Sequence, residues 1–528
     1  MACTLLAGSL TACGNNIEGA DGSPGEERQT EAGGNEDPGD GENGSGAAGN
    51  GEGGSQTGGN EDMEWDEDPV DVNWYIWNAG GTCTEAGVAA VEEALNEITL
   101  KKINVHVNLE VLEMGSYLSQ MPMQVSAGDK IDLITTFPAA SGSYTPMVNN
   151  GQLLPLNDLL AENAPEMLET VPESLFQATT VNGNIYAVPV YTDQTNDLYW
   201  NCRESLLTEA GFKAEDIKDY EDVTKVFAAV YEKHPDMKMI STGAQNLVGS
   251  AGVLFTGATF DTLGTDIAAV MVENEGEEAK AVCIYETQEY KDCIAVLNEW
   301  YKAGYIDKDA TIREDDPTSD KNVFSWFLAG NNGRTLSGDI LAGEPVAHVK
   351  LAEGCVTTGV ETILTMAIPT SATEPEAAAK VMNLCYTDPE LKLLVSYGFE
   401  GENYEIAENG GIRVITGSNY AINAVGIFGN VFLAPATVEN IDQGYDMTKI
   451  DQSTLNYSPL LGFFVQTDAI STEVAQLSTV TEEYKKAIEC GMSDEATYQE
   501  FLDKLKDSGL EKYLEEVQRQ LNEWLAQQ

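Results

Sequence analysis

Side chains able to do covalent or acid–base chemistry are few in type in this chain and poorly spaced for it. The three histidines, His106, His234 and His348, have no metal-ligand spacing to one another or to a cysteine. No G-x-S-x-G turn lifts a serine nucleophile, and no G-x-x-x-x-G-K-[ST] loop cradles phosphates. Carboxylates are abundant, with 87 Asp and Glu, so counting alone does not exclude a pair set to hydrolyse a glycosidic bond. Among nine cysteines, Cys13 stands apart because it ends the small-residue apolar stretch "MACTLLAGSLTA" and precedes a segment with nothing to bury. A thiol placed so is a candidate for covalent attachment rather than for catalysis.

The stretch before Cys13 has the composition of the end of a secretory signal and is too short to span a bilayer. Leu10-Thr11-Ala12-Cys13 resembles the bacterial lipobox, which implies cleavage before Cys13 and a lipid thioether on its sulfur. No Lys or Arg precedes it, so a start codon upstream of Met1 is expected. Residues 14–69 carry sixteen Asp or Glu against the single Arg28, with Gly filling much of the rest. Such a segment repels itself and is expected to be a disordered tether. The remaining cysteines outside the signal, Cys83, Cys202, Cys283, Cys293, Cys355, Cys385 and Cys490, are scattered and odd in number. They describe neither a disulfide framework nor a metal cluster, and unpaired thiols on an exported chain fit an anaerobic setting. A net charge of −59 argues against nucleic acid and against direct contact with anionic lipid. No cofactor and no metal are expected.

These residues need a scaffold, and 528 residues allow two domains or more. "VDVNWYIWN" reads as a strand, "EAGVAAVEEALNEI" as a helix and "INVHVNLEVL" as a strand. "GSYLSQMPMQVSAG" reads as a helix and "IDLITTF" as a short buried strand. This alternation is that of an α/β lobe with a parallel sheet. In "YAVPVYTDQTNDLYWNCRESLLTEAGF", Pro189 marks an edge or crossover segment. From about residue 412 the chain is expected to turn mainly helical, ending in two amphipathic helices broken at Gly509.

The lipobox, the α/β first lobe, this crossover and "MAIPTSATEPEAAAKVMNLCYTDPELKLLVSYGFEGENYEI" together resemble the extracellular solute-binding lipoproteins of bacterial carbohydrate ABC importers, family 1. "GFFVQTDAISTEVAQLSTVTEEYKKAIECGMSD" is similar to the domain of unknown function that closes the LplA type. The resemblance implies a two-lobed periplasmic-binding-protein-like fold of type II with a helical C-terminal region. Its parts would be a truncated signal over 1–13, the tether over 14–69, one lobe of 70–188 plus 360–411, and another of 190–358 plus 412–528. It further implies a lipid-anchored monomer on the outer face of a Gram-positive cell membrane, with permease subunits as partners, closing on an oligosaccharide and carrying no catalytic machinery.

Sugars pair C–H faces with aromatic rings and hydroxyls with amides, carboxylates and Arg. In that architecture the cleft is lined by loops after strands, which implies ligand contacts from Trp77, Asn78, Thr136, Phe137, Ser141, Tyr191 and Asp193. Trp326, Asn331 and Arg334 would supply the second lobe. Trp200, Trp300 and Trp524 are expected in cores, and Glu400 and Glu402 in a structural loop. Two other readings stay open: a peptide or amino-sugar receptor of the same fold, and a surface-anchored glycoside hydrolase.

Overall fold

The computed structural model describes residues 65, 67–137, 142–192, 197–240, 260–265, 267–271, 279–312, 322–330, 344–442 and 455–527. The expected signal, Cys13 and nearly all of the expected tether lie outside these residues, as do Ser141, Asp193, Asn331 and Arg334.

Strand β1 (Val70–Asn78) buries Val72, Trp74, Ile76 and Trp77. It leads to helix α1 (Glu85–Ile103), which starts where the Thr84 hydroxyl accepts from the Gly87 N–H and stops at Asn104 in the left-handed region, φ 53°. Strand β2 (Val105–Glu113) returns parallel to β1 in register from Val70↔Val105 to Asn78↔Glu113. Helix α2 (Met114–Ala127) and strand β3 (Ile134–Thr135) follow, and β3 is joined to β1 by the Leu133 bridge to Trp74. Strand β4 (Val188–Pro189) leaves this lobe.

The second lobe is built on β5 (Asp197–Arg203), buried at all seven positions. Around it come α3 (Tyr220–Lys233), β6 (Lys238–Ile240), α4 (Gln288–Ala303), β7 (Val323–Gly330) and β8 (Val346–Ala352). The sheet order is β8-β5-β7-β6, with β5 antiparallel to both neighbours. The chain then returns through the short helix α5 (Thr358–Glu361) to β9 (Thr365–Ala367), α6 (Pro375–Thr387) and α7 (Pro389–Tyr397). Strand β9 pairs antiparallel with β3 on one side and β4 on the other. Pro189 thus sits in an outermost strand of that sheet, where its missing N–H costs no ladder bond.

Helices α8 (Ser471–Glu489), α9 (Glu495–Asp507) and α10 (Leu510–Leu525) end the chain. Leu477, Phe501, Leu505, Val517 and Leu521 are fully buried in the core that also holds Trp200 and Trp300. No described helix is long and apolar enough to cross a membrane. The seven described cysteines are free, and all but Cys83 are buried.

Two features differ from the sequence expectation. Residues 412–442 form short strands, 3-10 turns and one short helix; sustained helix begins at Ser471. Tyr420, Ile422, Ala424, Ile427, Phe428 and Val431 also pack in the first core, with β1 and α6, rather than with the second lobe. The cause is long-range pairing. Tyr420–Ala421 adds to Thr82–Cys83, and the buried Lys392 of α7 donates to the Phe428 carbonyl while lying 3.8 Å from the centre of its ring.

The close approach at Gly429 tests this placement. Its φ is +57°, and a Cβ there would stand 2.0 Å from the Cys385 carbonyl oxygen. Gly429→Ala is expected to destabilise the fold by about 2–4 kcal/mol, read as a lower midpoint in chemical unfolding. An unchanged midpoint would contradict this packing.

Candidate functional site

Three connections run between the lobes, and backbone hydrogen bonds tie them together. The first continues β4. The Val190 N–H donates to the Leu364 carbonyl at 3.0 Å, the Tyr191 N–H to Gly429 O at 3.0 Å, and the Val431 N–H to Tyr191 O at 2.9 Å. The second is the α5 segment and the third runs through residues 455–465. They meet where the Val356 N–H donates to Asn456 O at 2.7 Å and the Ser458 N–H to Val356 O at 2.9 Å. The Thr358 hydroxyl accepts from the Gly462 N–H at 2.8 Å. A Cβ on Gly462, φ +97°, would meet the Gln177 carbonyl at 2.6 Å, so the third connection also presses on the first lobe. Helix α6 holds the first connection from below: the buried Tyr386 hydroxyl lies 3.0 and 2.8 Å from the Val188 and Pro189 carbonyls.

On this stitched floor lie three half-buried aromatic rings, Tyr191, Phe432 and Tyr457. Tyr191 and Phe432 meet edge to face, 4.9 Å between centroids at 69°. Phe432 is aimed by Asn430, whose side-chain oxygen accepts from the Phe432 N–H at 2.9 Å. Burial raises the Tyr191 phenol. The Tyr457 phenol is pushed up to about 12 by burial, with the Glu361 carboxyl and Tyr191 adding to it. The two phenols and the Glu361 carboxyl therefore belong to one neighbourhood. Partly exposed aromatic rings are what a C–H-rich ligand stacks on, while neutral phenols offer both a donor and an acceptor.

The other expected contacts are placed differently. Trp77 is fully buried between Tyr117, 4.9 Å away, and Phe137, 5.1 Å away and perpendicular. Phe137 is itself fully buried. Neither ring offers a face in this conformation, because both strand ends turn into the first core. Asn78 spends its amide on the following turn, accepting from the Gly81 N–H at 2.8 Å and donating to Gly81 O at 3.0 Å. Thr136 is buried, its hydroxyl 2.8 Å from that of Thr365 across β9. Trp326 is buried on β7 against Val346, away from the main second core. Of the described candidates, Tyr191 alone reaches the aromatic floor. Phe432, Tyr457 and Glu361 escaped the sequence reading; a signal for Tyr457 was "NYSPLLGFF", an apolar, Pro-bearing stretch where the chain recrosses between lobes.

A groove of about 450 Å³ lies along α1 beside His106 and is lined by Glu92, Glu93, Asn96 and Glu97 without a Trp, Tyr or Phe. It lacks the aromatic face that the hinge floor has. Among the described residues no group of three His, Cys, Asp or Glu is arranged to hold a metal ion.

The chain matches a domain of unknown function, DUF3502, over residues 459–526. A carbohydrate ABC transporter substrate-binding protein of Streptococcus pneumoniae serotype 4 is 26% identical over 446 residues, 81% of this chain and 87% of that one. Among solved structures, the N-glycan transport solute-binding protein NgtS from Streptococcus pneumoniae has a TM-score of 0.73 at 22% identity, covering 87% of this chain and 99% of that chain. Its complex with Man5GlcNAc has a TM-score of 0.68 at 23% identity, with the same coverage. An HMO-binding, ABC-transporter-associated solute-binding protein from Bifidobacterium longum infantis has a TM-score of 0.59 at 14% identity, covering 86% and 99%. These structures share the two-lobed fold described above. The profile of the bacterial extracellular solute-binding proteins matches residues 84–391, more than half of the sequence, and this chain belongs to that family.

Proposed function

We propose that this chain is the receptor subunit of a bacterial carbohydrate importer of the ABC class, holding an oligosaccharide in the cleft between its lobes and handing it to membrane permease subunits. The observation that carries this reading is the floor of half-buried Tyr191, Phe432 and Tyr457 where the three connections cross. The likeness to a carbohydrate-transport relative along 81% of the chain supports it. A sugar stacked on these rings touches both lobes at their pivot, so its contacts favour the closed arrangement over the open one. Asp193, two residues beyond Tyr191, and Ser141, Asn331 and Arg334 are the polar partners in this proposal. Trp77, Phe137 and Thr136 support the floor from the core. The chain binds and releases; it does not cleave.

The proposal includes an anchor. Cys13, lipidated, holds a monomer on the outer face of the cell membrane of a Gram-positive organism, and the acidic segment 14–69 gives the receptor reach. Two dissociable parts of the proposal have separate tests. Replacing Cys13 with Ser is expected to move the protein from the membrane to the medium in cell fractionation, and full membrane retention would exclude this anchor.

The cargo is tested by calorimetric titration against oligosaccharides, peptides and amino sugars, followed by mass spectrometry of the recovered ligand. An oligosaccharide recovered intact is the expected result. Recovery of cleaved product would make the chain a hydrolase, and binding restricted to peptides would move it to the peptide receptors. Tyr457→Ala and Tyr191→Ala are each expected to weaken oligosaccharide binding tenfold or more, about 1.5 kcal/mol. Unchanged affinity in both variants would displace the site from the hinge floor.

A further inference from the structure

Glu361 is fully buried and both of its carboxyl oxygens lack a hydrogen-bond partner. It closes α5 inside the second connection, and that segment touches both other connections and the second lobe. The third connection is bridged to it at Val356↔Tyr457. Leu364, three residues on, accepts from Val190 of the first connection. On the second-lobe side, a Cβ at Gly359 would lie 3.7 Å from Gly264.

Among the described residues, the titratable groups tied to this segment include the Tyr457 phenol on the third connection, the Tyr191 phenol on the first, the buried Cys355 thiol within the segment itself, and Asp261 on the second lobe. Asp261 is already committed, accepting from the Ser458 hydroxyl at 2.6 Å and the Leu263 N–H at 2.9 Å. No described cation is hydrogen-bonded to Glu361. A carboxylate without a partner is costly in such a place, whereas the carboxylic acid is tolerated. Burial accordingly pushes Glu361 up to about 8.

We propose that Glu361 is a proton-linked latch in the hinge, buried as the neutral acid in the conformation described here and ionising, with release of a proton, when rotation of the lobes brings it to water. The proposal rests on the receptor reading, since the rotation is the one that accompanies ligand capture, and it adds to that reading a dependence of capture on pH. The sign follows from the two values. Between about 4.5, the ordinary value, and about 8, the buried value, the buried conformation holds the extra proton. Its share therefore falls as pH rises through that window, by up to about tenfold per pH unit, and changes no further above it.

The full chain and Glu361→Gln, which keeps the shape and stays neutral, are compared in two ways. Without ligand, hydrogen–deuterium exchange of peptides covering 354–365 and 455–465, corrected for intrinsic rates, is measured at pH 5.5 and 7.5. The expected result is at least a tenfold loss of protection at the higher pH in the wild type, with little change in Glu361→Gln. Equal pH dependence in the two proteins overturns the proposal. With an oligosaccharide that binds, titration at pH 6.5 in buffers of different ionisation enthalpy counts the protons exchanged on binding. A fraction approaching one proton in the wild type and near zero in Glu361→Gln is expected, and zero in both overturns the proposal. Absence of any oligosaccharide binding would sink the receptor reading and, with it, the link to capture, while the ligand-free exchange still decides whether Glu361 controls the hinge.

Discussion

Everything that this chain can do as a two-lobed binder depends on how its three connections are tied. Separate strands would let the lobes drift. Here Tyr191 accepts from Val431 and donates to Gly429, Val190 donates to Leu364, and Val356 bonds with Asn456 and Ser458 on either side of Tyr457. These bonds make a short sheet-like patch whose backbone is satisfied, so a rotation of the lobes is confined to a few dihedral angles beside it. Tyr386 holds that patch to α6 through two carbonyls. The stretch "NLCYTDPELKLLV" is therefore an anchor for the hinge: Cys385 O accepts from the Asn430 N–H, and Lys392 binds Phe428 O.

The floor's chemistry follows from this constraint. A side chain can serve a ligand only if the fold spends one of its faces and leaves another. Trp77 and Phe137 are spent entirely, Trp77 meeting Tyr117 tilted and Phe137 edge to face inside the first core, whereas Tyr191, Phe432 and Tyr457 keep part of their surface exposed. Near Tyr457 lies Glu361, a carboxyl that the protein surrounds without pairing. Natural interiors rarely leave a buried polar group so, and its place at the pivot ties burial, charge and motion to one residue.

Local patterning made much of the first lobe legible. Alternation in "VDVNWYIWN" and "INVHVNLEVL" and the helical spacing between them correspond to β1, α1 and β2. Pro189 marked an outermost strand because proline lacks the N–H that an inner position needs. The amphipathic break at Gly509 separates α9 from α10, with Gly509 at φ +94°. What escaped was nonlocal. Glu361, Phe432 and Tyr457 lie up to 266 positions (457 − 191) from the expected Tyr191 and join it only when three crossings are stitched; no period or spacing carries that. For the same reason residues 412–434 looked like part of the second lobe, although the pairing of Tyr420–Ala421 with Thr82–Cys83 draws them back to the first. Trp77 misled because a strand end near a cleft and a strand end inside a core have the same sequence.

Closure of the two lobes on a sugar at this pivot is tested most directly by small-angle X-ray scattering of the same preparation of the chain, free and saturated with a binding oligosaccharide. Because the acidic N-terminal segment is common to both samples, their difference reports the lobes. The account predicts a smaller radius of gyration in the saturated sample, and no such decrease in a Tyr191→Ala, Tyr457→Ala double variant at the same sugar concentration. An unchanged radius at demonstrated saturation of the wild type would contradict it, because the ligand would then be held without the hinge.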